Sequence, residues 1–343
     1  MPPSSSTYGL SNSLLHGKIA LVKAIRIHED GGPEVLRYED APDPVPGPDD
    51  VLIRLRAASL NHIDLWVRSG RPSAPKPRIL GADGAGIVDN GPGFSAGDRV
   101  LMNPGIDHGD MVAVYGEHMD GTDAELVAVP RQNVYPIPDG MSFEEAAAFP
   151  LVFVTAYRML VTRAGLQGGE AVLIWGIGGG VAMAANAIAR ALGAKTIVTS
   201  SSPEKLARVE ADVKVDHATQ DVVEAVKDAT AGKGADVVVE HVGEATWQRS
   251  LQAARLGGRI VVCGATSGAN PSAALHRIWW KQLTILGSTM GTKQDFDGVY
   301  ELVASGKARP VIDVVFPLSE ARAAHERMEA GEQLGKIVLT IPG

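Results

Sequence analysis

The segment WGIGGGVAMA, residues 175–184, constrains the fold of this 343-residue chain more than any other. It follows the apolar run AVLI and precedes the helical pattern VAMAANAIARALGA, and Gly176, Gly179 and Ala182 stand three residues apart. Glycine permits a tight turn and close approach of the backbone to a pyrophosphate, and the start of a helix offers free N–H groups to that anion. The segment therefore predicts a strand–turn–helix unit that binds a dinucleotide.

The residues that follow alternate between apolar runs and helical patterns. With the first run included, the apolar runs are AVLIWG, KTIVTS, VKVDH, ADVVVEHVG, RIVVCG and LTILGST. Strands that are apolar on both faces are typical of a parallel sheet covered by helices on each side. We therefore expect an α/β fold with a doubly wound parallel (Rossmann) sheet. Before it, residues 22–129 place short apolar runs between turns rich in Gly, Pro and Asp, which predicts a mostly β domain.

The end of the second predicted strand bears on the choice of cofactor. About 20 residues beyond the glycine loop, an NAD-binding fold places a carboxylate that accepts a hydrogen bond from the ribose 2′-hydroxyl. Here the sequence is TIVTSSSPEKL, so Ser200, Ser201, Ser202 and Lys205 offer hydroxyls and an ammonium that suit a 2′-phosphate. We therefore expect NADPH. The alternative is that the serines only cap the next helix, with Ser202 as N-cap before Pro203, and that cofactor choice is set elsewhere.

Composition argues against several other functions. The net charge of −8 comes without a basic stripe, which argues against binding to nucleic acid. The single cysteine, Cys263, excludes an intrachain disulfide and any metal site built from several cysteines, and it suits a reducing cytoplasm. No apolar run approaches the roughly 18–20 residues of a membrane helix, so no membrane association is expected. Residues 1–21 are Ser-rich and lack a signal-peptide pattern, and we expect an extension without a chemical role.

A set of motifs runs from residue 22 to the C-terminus: SLNHIDLWVRSG, GADGAGIV, AAAFPLVFVTAY, WGIGGGVA, DVVVEHVG, RIVVCGATSG, LGSTMG and GKIVL. Together they resemble the medium-chain dehydrogenase/reductase superfamily, and most closely its zinc-less quinone oxidoreductase and enone reductase branch. The resemblance implies a mostly β, GroES-like catalytic domain of residues 22–150 and 289–343, and a dinucleotide-binding Rossmann domain of residues 151–288. It also implies a homodimer in which a second subunit covers the apolar edge strand LTILGST.

The resemblance also shows what this chain lacks. In zinc alcohol dehydrogenases of the superfamily the catalytic metal is held by Cys, His and Cys, and those positions here are Asn61, Ala82 and Leu151. Ile63 replaces the hydroxyl residue that begins the alcohol proton relay, while Asp64 is retained beside the former metal position. We therefore expect no metal. A solvated acidic loop is favoured over a second metal site for the remaining candidate ligands, which are Asp107, His108, Asp110, Glu117, His118 and Asp120.

Without a Lewis acid such a site suits hydride transfer to an activated double bond, in an enone or a quinone, better than alcohol oxidation. The expected catalytic residues are Asn61, His62, Asp64 and Trp66. Asn61 can donate from its amide, and His62 can bind the cofactor or act as an acid. Trp66 stands where relatives usually have Tyr and is expected to form a pocket wall. The proton donor stays open between solvent, His62 and Tyr115.

The remaining expected site residues contact the cofactor. Cys263 is expected to be a buried residue that approaches the nicotinamide only through its backbone. The resemblance and the glycine loop together place the cofactor against Thr155, Gly176, Gly179, Gly180, Val181, Ser200, Ser201, Ser202, Lys205, Val242, Gly264, Ala265, Ser288, Thr289 and Lys336.

Two other functions stay open at this point. One is a carbonyl or alcohol oxidoreductase that works without metal. The other is an NADPH-binding sensor, scaffold or RNA-binding protein with little turnover.

Overall fold

The computed structural model describes residues 21–342. The expected N-terminal extension therefore lies outside the described residues, apart from Leu21, which begins the first strand. The elements up to the glycine loop are β1 (Leu21–Ile27), β2 (Arg37–Pro42), β3 (Asp50–Ser59), α1 (His62–Arg68), β4 (Arg78–Ile79), β5 (Asp83–Asn90), β6 (Arg99–Met102), β7 (Gly105–Asp107), β8 (Val112–Val114), β9 (Leu126–Pro130), β10 (Val134–Pro136), α2 (Phe143–Ala148), α3 (Pro150–Tyr157) and β11 (Ala171–Ile174).

The elements after the glycine loop follow the predicted alternation and then return to the first sheet. They are α4 (Gly180–Ala191), β12 (Lys195–Ser200), α5 (Pro203–Arg208), β13 (Val213–Asp216), α6 (Val222–Ala229), β14 (Ala235–Glu240), α7 (Trp247–Ala253), β15 (Ala254–Val262), α8 (Leu275–Trp280), β16 (Thr284–Gly287), α9 (Lys293–Ala304), β17 (Ile312–Pro317), α10 (Ala321–Glu329) and β18 (Lys336–Thr340).

The parallel sheet has the strand order β13-β12-β11-β14-β15-β16. Every neighbouring pair in it is parallel, and the order reverses between β11 and β14, beside the glycine loop. A reversal of this kind opens a crevice at the carboxyl ends of the strands, where ligands of doubly wound sheets bind. The predicted α/β class with a Rossmann sheet is confirmed. Strand β16 is the last strand of this order, so one of its edges has no partner within residues 21–342.

Strands from the first part of the chain form a second sheet together with the two C-terminal strands. Its order is β10-β6-β5-β3-β18-β17, and β9 also pairs with β3. Val338 of β18 lies opposite Ser59 of β3, so the C-terminal strand joins the GroES-like sheet and carries Lys336 to the start of α1. This path agrees with a return segment after residue 289, although the exact domain boundaries stay a prediction. No helix within residues 21–342 is long and apolar enough to cross a membrane.

The helix after Pro150 is shorter and more buried than its sequence pattern predicts. The pattern favours an amphipathic helix ending at Gly165, but α3 ends at Tyr157 and continues as a π-helical turn over Arg158–Arg163. Every residue from Pro150 to Ala156 is buried. The reason is that α3 packs against α4 and α9. One hydrophobic cluster runs through this helix and includes Leu101 of the first sheet and Ile174 of the parallel sheet.

Candidate active site

A cleft of about 460 Å³ lies where the glycine loop faces α1 and the start of β18. Most of the residues predicted to form the site line it: Asn61, His62, Trp66, Thr155, Gly176, Gly179, Gly180, Val181, Ser200, Ser201, Ser202, Lys205, Val242, Gly264, Thr289 and Lys336. Three predicted residues do not line it, namely Asp64, Ala265 and Ser288. The cleft thus gathers side chains from both ends of the sequence, while the role of each stays a prediction.

The glycine loop forms one wall of the cleft. Gly176 and Gly178 have φ values of 60° and 137°, which favour glycine because a side chain would be strained there. Gly179 is the N-cap of α4 and supplies no side-chain cap, so the first N–H groups of this helix are left for another acceptor. A Cβ atom added to Gly179 would meet nothing within 4 Å. The open space and the uncapped helix start fit the pyrophosphate of a dinucleotide.

The far end of the cleft lies at the carboxyl end of β12. Ser200 is buried, and its hydroxyl accepts a hydrogen bond from the Ser202 backbone N–H at 3.1 Å. Ser202 caps α5 by accepting from the Lys205 N–H at 3.2 Å, as the sequence predicts. The Lys205 ammonium donates to the Gly331 carbonyl at 2.7 Å and crosses the cleft in doing so. This bond uses one of the three N–H groups of the ammonium.

A buried polar network occupies the position that Asn61, Ala82 and Leu151 define. The Lys336 ammonium donates to Asn61 Oδ1 at 2.6 Å and to Asp83 Oδ2 at 3.1 Å. Asn61 Nδ2 donates to the same Asp83 oxygen at 2.9 Å, and the Leu151 backbone N–H donates to Asp83 Oδ1 at 2.8 Å. Ser59 Oγ lies 3.1 Å from Asp83 Oδ2 and 2.8 Å from the Ala147 carbonyl oxygen, so its single hydrogen has two possible acceptors. Burial lowers the pKa of Lys336, and the neighbouring Asp83 counteracts that effect.

The Asn61 amide is fully used inside this network. Its oxygen accepts from Lys336, and its nitrogen donates to Asp83 and, at 3.4 Å, to the Ser59 carbonyl. The predicted donation from Asn61 to a substrate oxygen therefore has no free N–H in this arrangement. Asn61 instead links α1 to Asp83 and Lys336.

Two buried carboxyl groups lie behind the network. Asp64 caps the start of α1 by accepting from the Asn61 N–H at 2.7 Å, and it accepts from the Gly81 N–H at 3.2 Å. Burial raises the pKa of Asp64 despite these bonds. Burial and the proximity of Asp64 raise the pKa of Asp123, whose two oxygens have no hydrogen-bond partner in residues 21–342. Asp64 thus positions the backbone at Asn61 and does not face the cleft.

The wall formed by α1 combines an imidazole with an indole. The rings of His62 and Trp66 are 6.3 Å apart between centroids, and Trp66 is 42% exposed. Burial, followed by the charges of His241 and Lys336, lowers the pKa of His62 to about 4. His62 is therefore a neutral imidazole at neutral pH, so the expected role as an acid in that range does not fit. Trp66 lies in the wall, as predicted.

Two further alternatives from the sequence lie elsewhere. Tyr115 is buried in the GroES-like domain, where its hydroxyl donates to the Ala128 carbonyl at 3.0 Å, and it lines a different cleft. It is therefore not a proton donor for the main cleft. In the acidic loop, His118 accepts from the Val114 N–H and Asp120 accepts from the Ile79 N–H. No group of three or more potential metal ligands forms among the described residues.

Sequence reasoning missed several residues of the cleft. Asp83 directly follows Ala82, but the former ligand positions alone do not point to it. Gln333 lines the cleft, is 5% exposed and has an amide oxygen without a partner within residues 21–342. Met290 and Met328 add apolar surface. Cys263, which the sequence places near the nicotinamide, lines the cleft and is half-buried. Burial raises the pKa of its thiol to about 12, so it is not a thiolate at neutral pH.

Comparison with known families finds two matches that cover both parts of the chain. A family described as alcohol dehydrogenase GroES-like domain matches residues 47–139, and one described as zinc-binding dehydrogenase matches residues 180–305. Quinone oxidoreductase of Pseudomonas aeruginosa is 36% identical over 332 residues, covering 93% of this chain and 99% of that protein. Human quinone oxidoreductase is 31% identical over 340 residues, covering 94% of this chain and 98% of that protein.

Solved structures show the same fold. One described as an NAD-dependent alcohol dehydrogenase superposes with a TM-score of 0.90 at 41% identity, covering 93% of this chain and all of that one. The 2-octenoyl-CoA carboxylase reductase CinF, in complex with NADP and 2-octenoyl-CoA, superposes with a TM-score of 0.85 at 26% identity. That alignment covers 94% of this chain and 88% of CinF.

Proposed function

Because the chain belongs to the medium-chain dehydrogenase/reductase superfamily, in its quinone oxidoreductase branch, we propose that it reduces enones or quinones with NADPH and without a catalytic zinc. Membership of this family shows that the chain is an oxidoreductase that binds a nicotinamide cofactor. We propose three further properties: a preference for NADPH, an enone or quinone as the acceptor, and independence from zinc.

The cleft has groups suited to each part of the cofactor. The uncapped start of α4 at Gly179 would hold the pyrophosphate, and Ser200 to Ser202 would face the adenosine ribose. Thr155 and Gly264 would border the nicotinamide, as the resemblance implies. When bound, the reduced nicotinamide supplies a hydride. The protein's own contribution is to orient the acceptor beside it and to keep water away with the apolar surfaces of Ile63, Trp66 and Met290.

One observation carries the proposal of a zinc-independent reduction. The three positions that hold a metal in zinc alcohol dehydrogenases are Asn61, Ala82 and Leu151, and none offers a thiolate or an imidazole. Around them the hydrogen bonds converge on Asp83 and the Lys336 ammonium. An alkoxide formed from a secondary alcohol is readily stabilised by a Lewis acid, whereas the negative charge that develops on the oxygen of a conjugated carbonyl can be stabilised by hydrogen-bond donors alone. The residue set therefore favours reduction of a conjugated carbonyl.

The preference for NADPH rests on the absence of a carboxylate at Thr199, Ser200, Ser201 and Ser202. The complex of CinF with NADP is consistent with it, while the relative described as NAD-dependent makes NADH the competing cofactor to test. We also propose a homodimer that forms across β16, because this edge strand lies near the exposed side chains of Leu275, Trp279, Trp280 and Ile285.

The proposal is tested by initial rates with NADPH and with NADH, using 2-cyclohexenone and 1,4-benzoquinone as acceptors. Oxidation of 2-propanol and benzyl alcohol with each oxidised cofactor is measured in parallel. Consumption of NADPH with an enone or quinone, and little alcohol oxidation, is the expected result. Faster turnover of alcohols would favour the carbonyl or alcohol oxidoreductase, and cofactor binding without any turnover would favour the sensor or scaffold.

A further inference from the structure

The geometry points to a catalytic role for Lys336: we propose that its ammonium donates the hydrogen bond that stabilises the substrate oxyanion during reduction. This inference rests on the proposed function and deepens it, since it names the group that takes over the electrostatic role of a metal. The sequence predicts Lys336 only as a contact to the cofactor. Its charge lies at the meeting point of Asn61 and Asp83, in the wall of the cleft.

One N–H group of the Lys336 ammonium is available to a ligand. Two of its three N–H groups are satisfied by Asn61 Oδ1 and Asp83 Oδ2. The third has no acceptor within hydrogen-bond distance in residues 21–342, and Lys336 is only 3% exposed while still lining the cleft. A buried N–H without a partner is costly, so a ligand oxygen that accepts from it is favoured.

The network holds this donor in place before any substrate arrives. The Leu151 N–H and Asn61 Nδ2 both donate to Asp83, so the carboxylate that pairs with Lys336 is held in its orientation. The Leu60 N–H donates to the Ile337 carbonyl at 3.0 Å and ties β18 to the start of α1. A donor that needs no reorganisation during the reaction stabilises developing charge most effectively.

The neighbouring candidates are less suited to this role. The Asn61 N–H groups are taken by Asp83 and Ser59. His62 is a neutral imidazole at neutral pH and offers one uncharged N–H at most. A charged donor forms the stronger hydrogen bond to an oxyanion. Lys336 is therefore the strongest donor available to a carbonyl oxygen in this part of the cleft.

The step balances with one hydride and one proton. Hydride adds to the β-carbon of the enone, the C=C electron pair shifts toward the carbonyl, and the carbonyl oxygen becomes an enolate oxygen. The Lys336 N–H donates to that oxygen and keeps its proton. Water supplies the proton that forms the new C–H bond at the α-carbon, which gives the saturated ketone and the oxidised cofactor.

Kinetics of Lys336 variants test the role directly. Lys336→Met should lower kcat for 2-cyclohexenone about 100-fold, the loss typical for an oxyanion donor, while the dissociation constant of NADPH changes less than about threefold. Lys336→Arg keeps a charged donor and should recover part of kcat. Because Lys336→Met leaves the buried Asp83 carboxylate without its cationic partner, the double variant Lys336→Met, Asp83→Asn is measured as well and should show the same loss of kcat.

A probe that needs no turnover separates this inference from the proposed function. The titration of 4-nitrophenol is followed by absorbance in the presence of saturating protein, with the oxidised cofactor present. Its phenolate oxygen mimics the enolate. Wild type should lower the pH at which the bound probe ionises by about one unit relative to the double variant. Lys307→Met removes an exposed lysine that does not line the cleft and should not reproduce that difference.

The outcomes are distinct. If wild type reduces enones and Lys336→Met retains kcat while NADPH binding weakens, Lys336 is only a cofactor contact and the inference is overturned. Equal ionisation of the phenol in wild type and the double variant, or no binding of it, overturns it too. If no enone or quinone is turned over but the phenolate is stabilised through Lys336, the oxyanion site stands and the proposed function fails.

Discussion

Replacing Asp123 by Asn should stabilise the protein near neutral pH, and the gain should shrink as the pH falls. Asp123 is 1% exposed, and both of its carboxyl oxygens are buried without a hydrogen-bond partner in residues 21–342. A Cβ atom on Gly81 would lie 2.5 Å from Asp123 Oδ1, so the carboxyl group is pressed against the backbone there. Burial, and then the charge of Asp64, raises the pKa of Asp123 well above its ordinary value.

The sign of the pH dependence follows from this raised pKa. A carboxyl group that holds its proton more tightly in the folded chain stabilises folding fully below the pKa of the unfolded chain, near 3.9. As the pH rises from there toward the folded pKa, the unfolded chain releases the proton while the folded chain keeps it. Folding then loses about 1.4 kcal/mol per pH unit from this one group. The amide introduced by Asp123→Asn has no proton to release in this range, so the variant avoids the loss.

The assay compares the free energy of unfolding in urea at pH 5 and pH 6 for wild type and Asp123→Asn. Groups remote from Asp123 contribute almost equally to both proteins, so the difference between them reports Asp123 together with its effect on the neighbouring Asp64. The advantage of the variant should be larger at the higher pH, by at most about 1.4 kcal/mol per pH unit from this one group. The control is Asp110→Asn, which changes an exposed carboxylate in the acidic loop and should follow wild type. Parallel curves for wild type and Asp123→Asn would refute the reasoning.

Three further outcomes are expected. Wild type should prefer NADPH over NADH by at least about tenfold in kcat/KM, or about 1.4 kcal/mol. Ser200→Asp should narrow or reverse that preference. Lys205→Ala should weaken the binding of NADPH and leave the binding of NADH unchanged. Equal use of both cofactors by wild type would contradict this prediction. Elemental analysis should find well under one zinc per chain, with activity and Tm unchanged by EDTA; activity lost on chelation would contradict it. Light scattering should give about twice the chain mass of 36.0 kDa, and Ile285→Lys in the edge strand should give monomers; a wild-type monomer would refute the dimer.

The parts of this fold that were predictable depend on local sequence. The parallel sheet is visible because buried strands such as AVLI and VVVE are apolar at nearly every position, which a sheet covered on both faces requires. The Ser202 cap before Pro203 involves Lys205, which is less than one helical turn away. Such local contacts depend only on the spacing of residues along the chain, so the sequence alone predicts them.

The centre of the site was not predictable in the same way. Lys336 and Asp83 are 253 positions apart in sequence, and no periodicity links a residue of β18 to one of β5. The amide of Asn61 looks like a free donor in the sequence because its partners come from other elements. Tyr115 looks available for the same reason, but the topology places it behind the GroES-like sheet. Roles that depend on a residue's partners require the topology, which the sequence supplies only in outline.

The charges of the buried residues at the centre of the site bear on the proposed reaction, which has no catalytic metal. Lys336 and Asp83 form a pair with no net charge, and His62 is neutral at neutral pH. Burial raises the pKa of Asp64, which moves that carboxyl toward its neutral form as well. A centre of this kind supplies a single, oriented positive donor in place of a doubly charged cation. One charged donor suits a delocalised enolate, whereas an alkoxide concentrates its charge on one oxygen. Under the proposed function, these buried residues therefore favour conjugated acceptors over simple alcohols.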